Sequence, residues 1–315
     1  MLAIETEALS KDYRVGFWRP RPYRALDRLT LAVEQGEMFG FLGPNGAGKS
    51  TTLKLLMQLT YPTAGTARIL GQPVGDVDVK RRIGFLPENP YFYDYLTAEE
   101  LLHYFAGLFD LPDTKRRVSA VLDEVGIGAE RRMRLRSFSK GMIQRVGIAQ
   151  AILNEPEVVF FDEPMSGLDP LGRRDVRQLL LRLRDRGCTV FFSSHILSDA
   201  ETLCSRVAIV AQGRLVASGA VSELVAFELR GWELLVAAVP EHIQPRLSEG
   251  ARHVTRLSDG RFALELGGDA QPERVVSELA AEGVRVIALN PIRATLEDVF
   301  VRKVGESEPR DTMGV

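Results

Sequence analysis

Cysteine is scarce in this chain of 315 residues: Cys188 and Cys204 are its two thiols, and neither stands in a metal-ligand or redox spacing. A disulfide scaffold is therefore excluded as the source of the fold, and a reducing compartment suits it. Long apolar runs are missing too. The most apolar stretches, such as Val207–Ala211, are far too short to cross a bilayer core of about 30 Å as helix, so any membrane role must be borrowed from a partner. Charge of one sign is also lacking, since a formal net charge of -2 makes no case for a strongly basic nucleic-acid binder. Met1–Glu7 carries acids where a secretion signal needs a basic and then an apolar region, so none is expected. Neither an internal repeat nor a sustained heptad pattern is present.

What is present is an alternation of short β-rich runs with longer helical patterns from about Ile4 to Ala217, which predicts one α/β unit. Ala3–Leu9 and Leu29–Glu34 read as antiparallel opening strands. The prolines of Trp18–Tyr23 oppose a regular ladder, so that segment is expected to be a loop or a protruding hairpin tip. Glu37–Leu42 is an apolar strand entering a glycine-rich turn, followed by a helix over Lys49–Leu59 that Pro62 stops. Leu96–Leu153 is largely helical and opens on a capping box, Thr97 with Glu100. Glu157–Phe161, apolar after its first residue, predicts a strand covered on both faces and hence a parallel sheet. Asp169 and Pro170 start a helix whose Val176, Leu179, Leu180 and Leu183 recur at helical spacing until Gly187. Thr189–Ser193 and Arg206–Ala211 are further strands, with Gln212–Gly213 a hairpin turn.

Beyond about Ala220 the order becomes strand (Trp232–Val239), short helix (Pro240–Leu247), hairpin (Val254–Leu266, around Ser258–Gly260), helix (Gln271–Ala281), strand (Val284–Leu289) and helix (Thr295–Lys303). That order predicts a small α+β domain of ferredoxin-like kind. Residues 305–315 are charged, contain Gly and Pro, and are expected to form a flexible tail.

Two strings carry chemistry. Gly43, Pro44, Asn45, Gly46, Ala47, Gly48, Lys49 and Ser50 match the nucleotide-binding P-loop in letters and in strand–loop–helix context. Small residues let the backbone curl so that its N–H groups and the helix terminus, with Thr51 in its first turn, converge on phosphate oxygens. Lys49 would face the β and γ phosphates of ATP and Ser50 would ligate Mg²⁺. The second string is Val158–Glu163, a buried strand ending in two acids. At its exit Asp162 can hold Mg²⁺ through water, while Glu163 can act as general base on the water that attacks the γ phosphate.

With both strings in place, the sequence resembles the nucleotide-binding subunits of ABC transporters over almost all of Glu5–Gly219. Phe138–Met142 looks like the family signature, and the resemblance implies that Ser139 and Gly141 approach the γ phosphate held by an opposing subunit. Lys140 and Met142 depart from the commoner glycine and glutamine. Ser166–Pro170 resembles the loop that crosses the dimer interface, with Asp169 helping to align the opposing site. His195, after Ser193 and Ser194, resembles the switch histidine that would bind the γ phosphate and orient water beside Glu163. Glu88 stands where the family usually has a glutamine that touches Mg²⁺ and senses the membrane subunit. Tyr13 resembles the aromatic residue that stacks on adenine, with Tyr23 as competitor because the inserted Phe17–Pro22 blurs the spacing. Arg131, Arg132, Arg134 and Arg136 form a positive run that is expected to be a solvated face.

The resemblance implies an ABC-type nucleotide-binding domain over 1–220, with a helical subdomain at about 96–153 and an antiparallel β subdomain. A C-terminal accessory domain over 221–304, with Ala294–Phe300 characteristic of exporter-type (ABC-2-like) systems, follows. It further implies ATP and Mg²⁺ as ligands, a second nucleotide-binding subunit as homodimer or heterodimer partner, and a separate multi-span membrane permease. No nucleic acid is expected, and the location implied is the cytoplasmic face of the cell membrane. A non-transport ABC ATPase acting on ribosomes or DNA would commonly carry two ATPase cores or a long coiled coil, and the sequence has one P-loop and no heptads. A regulatory subunit with poor hydrolysis is opposed by the intact Glu163 and His195.

Overall fold

The computed structural model describes residues 1–16, 18, 21–225, 229–257 and 260–307. Residues 308–315 of the expected tail, Ser258 and Asp259 of the expected turn, and Phe17, Arg19 and Pro20 of the insertion lie outside the described residues.

The chain opens on a hairpin, β1 (Leu2–Val15) and β2 (Arg21–Glu34), and continues through β3 (Met38–Leu42), α1 (Lys49–Leu56), β4 (Ala64–Ile69), β5 (Gln72–Pro73), α2 (Val77–Arg81) and β6 (Ile83–Leu86). The helices α3 (Ala98–Leu108), α4 (Thr114–Glu124) and α5 (Lys140–Ile152) follow. The chain then returns through β7 (Val158–Asp162), α6 (Pro170–Asp185), β8 (Thr189–Ser194), α7 (Leu197–Leu203), β9 (Arg206–Ala211) and β10 (Arg214–Ala220). The short α8 (Val221–Leu224) leads to β11 (Leu229–Ala237), β12 (His253–Arg256), β13 (Phe262–Gly267), α9 (Pro272–Ala281), β14 (Arg285–Arg293) and α10 (Leu296–Ser307). Two compact units result, Met1–Val221 with Phe300–Ser307, and Ser222–Val299.

In the first unit the central sheet has the order β10-β9-β3-β8-β7-β6, parallel except for β10 against β9. Every residue of β3, β7 and β8 is buried, as continuous apolar runs between two covering layers require. Phe191 of β8 is the hub, with its ring centre 5.7 Å from Phe39, 5.4 Å from Phe41 and 5.7 Å from Phe160. The strands that carry the glycine-rich loop and the two acids, β3 and β7, are thereby held on either side of β8 through side chains as well as ladders.

The second sheet, β2-β1-β4-β5, is antiparallel. Its hairpin arms run further than the proline-rich sequence suggests, since Val15 pairs with Arg21 and Pro22 lies within β2 opposite Arg14. Proline is tolerated there because β2 is the edge strand. The helix predicted to reach Leu59 instead ends at Leu56, because Gln58 adopts a left-handed φ of 54°.

The capping box of α3 is formed as predicted. Thr97 Oγ1 accepts from Glu100 N at 3.1 Å, and Glu100 Oε2 accepts from Thr97 N at 2.8 Å, which holds the Glu100 carboxyl below its usual range. The arginine run is not wholly a solvated face. Arg131 turns inward, where Nε donates to Gly128 O at 2.8 Å, Nη1 to Ser119 Oγ at 2.8 Å and Nη2 to Asp123 Oδ1 at 2.6 Å. It fastens the segment before α5 to α4.

The second unit is an antiparallel sheet of order β12-β13-β11-β14 around buried Leu234, Val236, Phe262, Leu264 and Leu266. This is the ferredoxin-like split β-α-β order. The expected helix over Pro240–Leu247 is instead a 3₁₀ turn, Gln244–Ser248, in the place of the first crossover helix.

Candidate active site

The glycine-rich loop leaves β3 at its C-terminal end and is tied to the neighbouring strand by Gly43 N donating to Ser194 O at 3.2 Å. Two glycines are dictated by space. A Cβ on Gly43 would stand 2.3 Å from Val210 O, and one on Gly48, whose φ is +104°, would stand 2.6 Å from Ala25 O. The backbone can therefore curl tightly into the start of α1. Lys49 is 6% exposed and folds across its own loop, with Nζ donating to Gly43 O at 2.7 Å and to Pro44 O at 3.2 Å.

The acids sit one strand further along. Asp162 closes β7, and Glu163 follows with a left-handed φ of 50°. Both are buried, at 6% and 7% exposure. Glu163 Oε1 lies 3.2 Å from Lys49 Nζ, an ion pair without the alignment of a hydrogen bond, so that oxygen has no hydrogen-bond partner. Glu163 Oε2 lies 2.8 Å from His195 Nδ1, and the backbone N of His195 donates to it at 3.4 Å. A carboxylate can only accept, so Nδ1 carries the proton in this contact.

An open pocket of about 370 Å³ joins these groups. It is lined by Pro44, Asn45, Gly46, Gly48, Lys49, Ser50 and Thr51 from the loop and helix, by Glu163, and by Glu88 after β6. Tyr13 and Tyr23 form its far wall together with Ala25. The two tyrosines are register partners across β1 and β2, so the structure presents both where the sequence left them as alternatives. Lys11 Nζ lies 5.1 Å from the centre of the Tyr13 ring. Gly43 and Ala47 are buried beneath the loop, and Asp162 and His195 stand behind and beside Glu163.

Ser139, Gly141 and Asp169 do not line this pocket. Ser139 is the exposed N-cap of α5, where its Oγ accepts from Met142 N at 3.2 Å, and Asp169 caps α6 by accepting from Gly172 N at 2.7 Å. Two residues that the sequence did not single out bind the parts together. Gln144 of α5 is buried and its Nε2 donates to Pro164 O at 3.0 Å, joining the signature helix to the segment after Glu163. Ser193 of β8 touches both acids. Neither carries a local sequence signal, since each acts across a gap of 20 or more positions.

Comparison with known proteins agrees with this geometry. The family model described as ABC transporter matches residues 26–166. An ABC transporter ATP-binding protein of Synechocystis sp. is 44% identical over 96% of this chain and 85% of its own length. The bacitracin transport ATP-binding protein of Enterococcus faecalis is 34% identical over 96% of both chains. Among solved structures, the dimeric ATP-binding cassette MJ0796 in a post-hydrolysis state bound to ADP and Pi superposes with a TM-score of 0.63 at 25% identity, covering 69% of this chain and 98% of that one. A glycine-cradled lysine, a paired strand-end acid and relatives matched nearly end to end lead to one assignment: the chain belongs to the ATP-binding subunits of ABC transporters and hydrolyses ATP to drive transport.

Proposed function

We propose that two such subunits, identical or closely related, clamp ATP between the pocket of one and the Ser139–Gly141 segment of the other, and that closure works on a separate membrane permease. The observation that carries this reading is the separation within one chain: Lys49, Ser50 and Glu163 line the pocket while Ser139 and Gly141 do not. A helix N-terminus with a hydroxyl cap suits an anion presented by a partner. To Asp169, the N-cap of α6, we assign the alignment of the opposing site.

In the proposed cycle the loop N–H groups and Lys49 hold the phosphates, Lys49 exchanging its carbonyl contacts for phosphate oxygens. Glu163 takes a proton from water as that water attacks the γ phosphorus, and the bond to the ADP oxygen breaks. His195, already against Glu163, holds the water and the γ phosphate in line. Tyr13 or Tyr23 stacks on the base. Ser50, Asp162 and Glu88 offer hydroxyl and carboxylate oxygens, the hard donors that suit Mg²⁺. The ion, when bound, supplies positive charge that offsets charge building on the phosphate oxygens.

Among the described residues no helix is long and apolar enough to cross a membrane, which fits a subunit that reaches the cytoplasmic face of the membrane through its permease. Tyr91, Tyr93 and Tyr95, all more than half exposed in the segment after Glu88, with Tyr104 on α3, offer that partner an aromatic surface. Export is the direction we infer, from the resemblance of Ala294–Phe300 to exporter-type systems. To the accessory domain, 221–304, we assign buttressing, dimer contact or ligand sensing, and to 1–220 the engine. The test is Glu163→Gln: turnover should fall roughly 10²- to 10⁴-fold with loss of the general base, while ATP-dependent dimerisation persists. Surviving turnover sinks the assignment of the base.

A further inference from the structure

Ser193 is fully buried at the end of β8, with β7 and its acids on one side and β3 and the phosphate loop on the other. The parallel register places it opposite Asp162. Its Oγ lies 2.6 Å from Asp162 Oδ1 and 3.0 Å from the backbone N of Glu163. A backbone N–H can only donate, so the hydroxyl accepts from Glu163 and its single proton must go to Asp162. One atom therefore satisfies two neighbouring groups in opposite senses.

The geometry points to Ser193 as a positioning residue for both acids, a role that rests on the functional reading of Asp162 and Glu163 above. The contact to Asp162 is charge-assisted, fixes the carboxylate's rotation and occupies Oδ1, leaving Oδ2 to face other ligands. The contact to Glu163 N matters for a different reason. Glu163 holds a left-handed backbone, a conformation that is uncommon and costly for a residue bearing a side chain. The Ser193 hydroxyl pins the amide of that residue, and so aims the carboxylate at Lys49 and His195. An apolar residue at 193 would leave a buried N–H without a partner and let the turn relax. A partner of this kind, one bond removed from a metal-binding carboxylate, typically changes metal affinity or activity by roughly 10- to 100-fold when lost.

The test uses the full chain with Ser193→Ala, and Ser193→Cys, of similar shape but a weak donor, where the alanine variant does not fold. Turnover is measured against ATP concentration, and affinity for a non-hydrolysable fluorescent ATP analogue is measured in EDTA and in magnesium chloride. The expected result is a fall in kcat of roughly tenfold or more, a smaller magnesium-dependent gain in affinity, and no loss of affinity in EDTA. Wild-type kcat with a wild-type magnesium gain overturns the proposal. So does an equal loss of affinity with and without magnesium, which would mark general loosening of the site. Glu163→Gln, run alongside, separates the two levels. If it turns over normally, the reading of the acids falls and this role with it; if it is inactive while the Ser193 variants match wild type, only the role of Ser193 falls.

Discussion

The lysine of the phosphate loop is restrained before nucleotide arrives, and releasing it should tighten binding. Lys49 Nζ and Glu163 Oε1 lie 3.2 Å apart and both side chains are under a tenth exposed. At an effective dielectric of about 20 the direct attraction is about 5 kcal/mol. Most of that is offset by desolvation, and the pair lacks hydrogen-bond alignment, so its net worth belongs at the low end for charged contacts, about 1.5 kcal/mol. Binding ATP disrupts this pair and brings the triphosphate towards a carboxylate. Glu163→Gln removes both penalties while leaving the amide oxygen able to accept from His195. The variant should bind ATP roughly tenfold more tightly in EDTA, where no turnover occurs. Calorimetry at a protein concentration where gel filtration shows monomer isolates the effect from dimerisation. Without ATP the same variant should melt at a lower temperature, since Lys49 keeps only its two carbonyl contacts, and ATP should raise its melting point by more than it raises that of wild type. Equal or weaker affinity in EDTA refutes the reasoning.

Phe191→Ala should destabilise the first unit by about 3–5 kcal/mol, because it empties the centre of three aromatic contacts. Urea titration followed by far-UV circular dichroism reads the change, and a shift worth less than about 1 kcal/mol would show that β8 is not the hub described. Burial pushes the Cys188 thiol up to about 12 and the Cys204 thiol higher still. The reactive thiolate is therefore scarce in the folded protein, and iodoacetamide at pH 8 should label both residues only upon unfolding. Rapid labelling of the native chain, read by mass spectrometry, would contradict their packing.

The parts of the site legible in the sequence are those made of consecutive residues. Gly43–Ser50 declares itself because strand, curl and helix follow one another directly, and Asp162 with Glu163 because a fully buried strand must end where the sheet opens. Thr97 with Glu100 and Asp169 with Pro170 are local caps and stand as read. What escaped depends on register between distant segments. Ser193 meets Asp162 only because β7 and β8 run parallel in that alignment, and Tyr23 joins Tyr13 only because the hairpin pairs them. The early end of α1 at Gln58 was unreadable for another reason: a left-handed glutamine carries none of glycine's signature.

Strand β2 is 14 residues long and lies at the edge of its sheet. An edge strand of that length is ordinarily an invitation to cross-chain strand addition and precipitation, and in this one Asp27 N already donates outward to Gly213 O at 2.8 Å. Here Pro22 breaks the sequence of available donors, and Arg21, Arg24 and Arg28 would set like charges against one another in a second copy added in parallel. Irregular pairing with β1 between Thr6 and Asp12 disturbs the flat template further. The same arginine-rich, proline-bearing ribbon that carries Tyr23 to the pocket thus discourages association through the edge of its sheet.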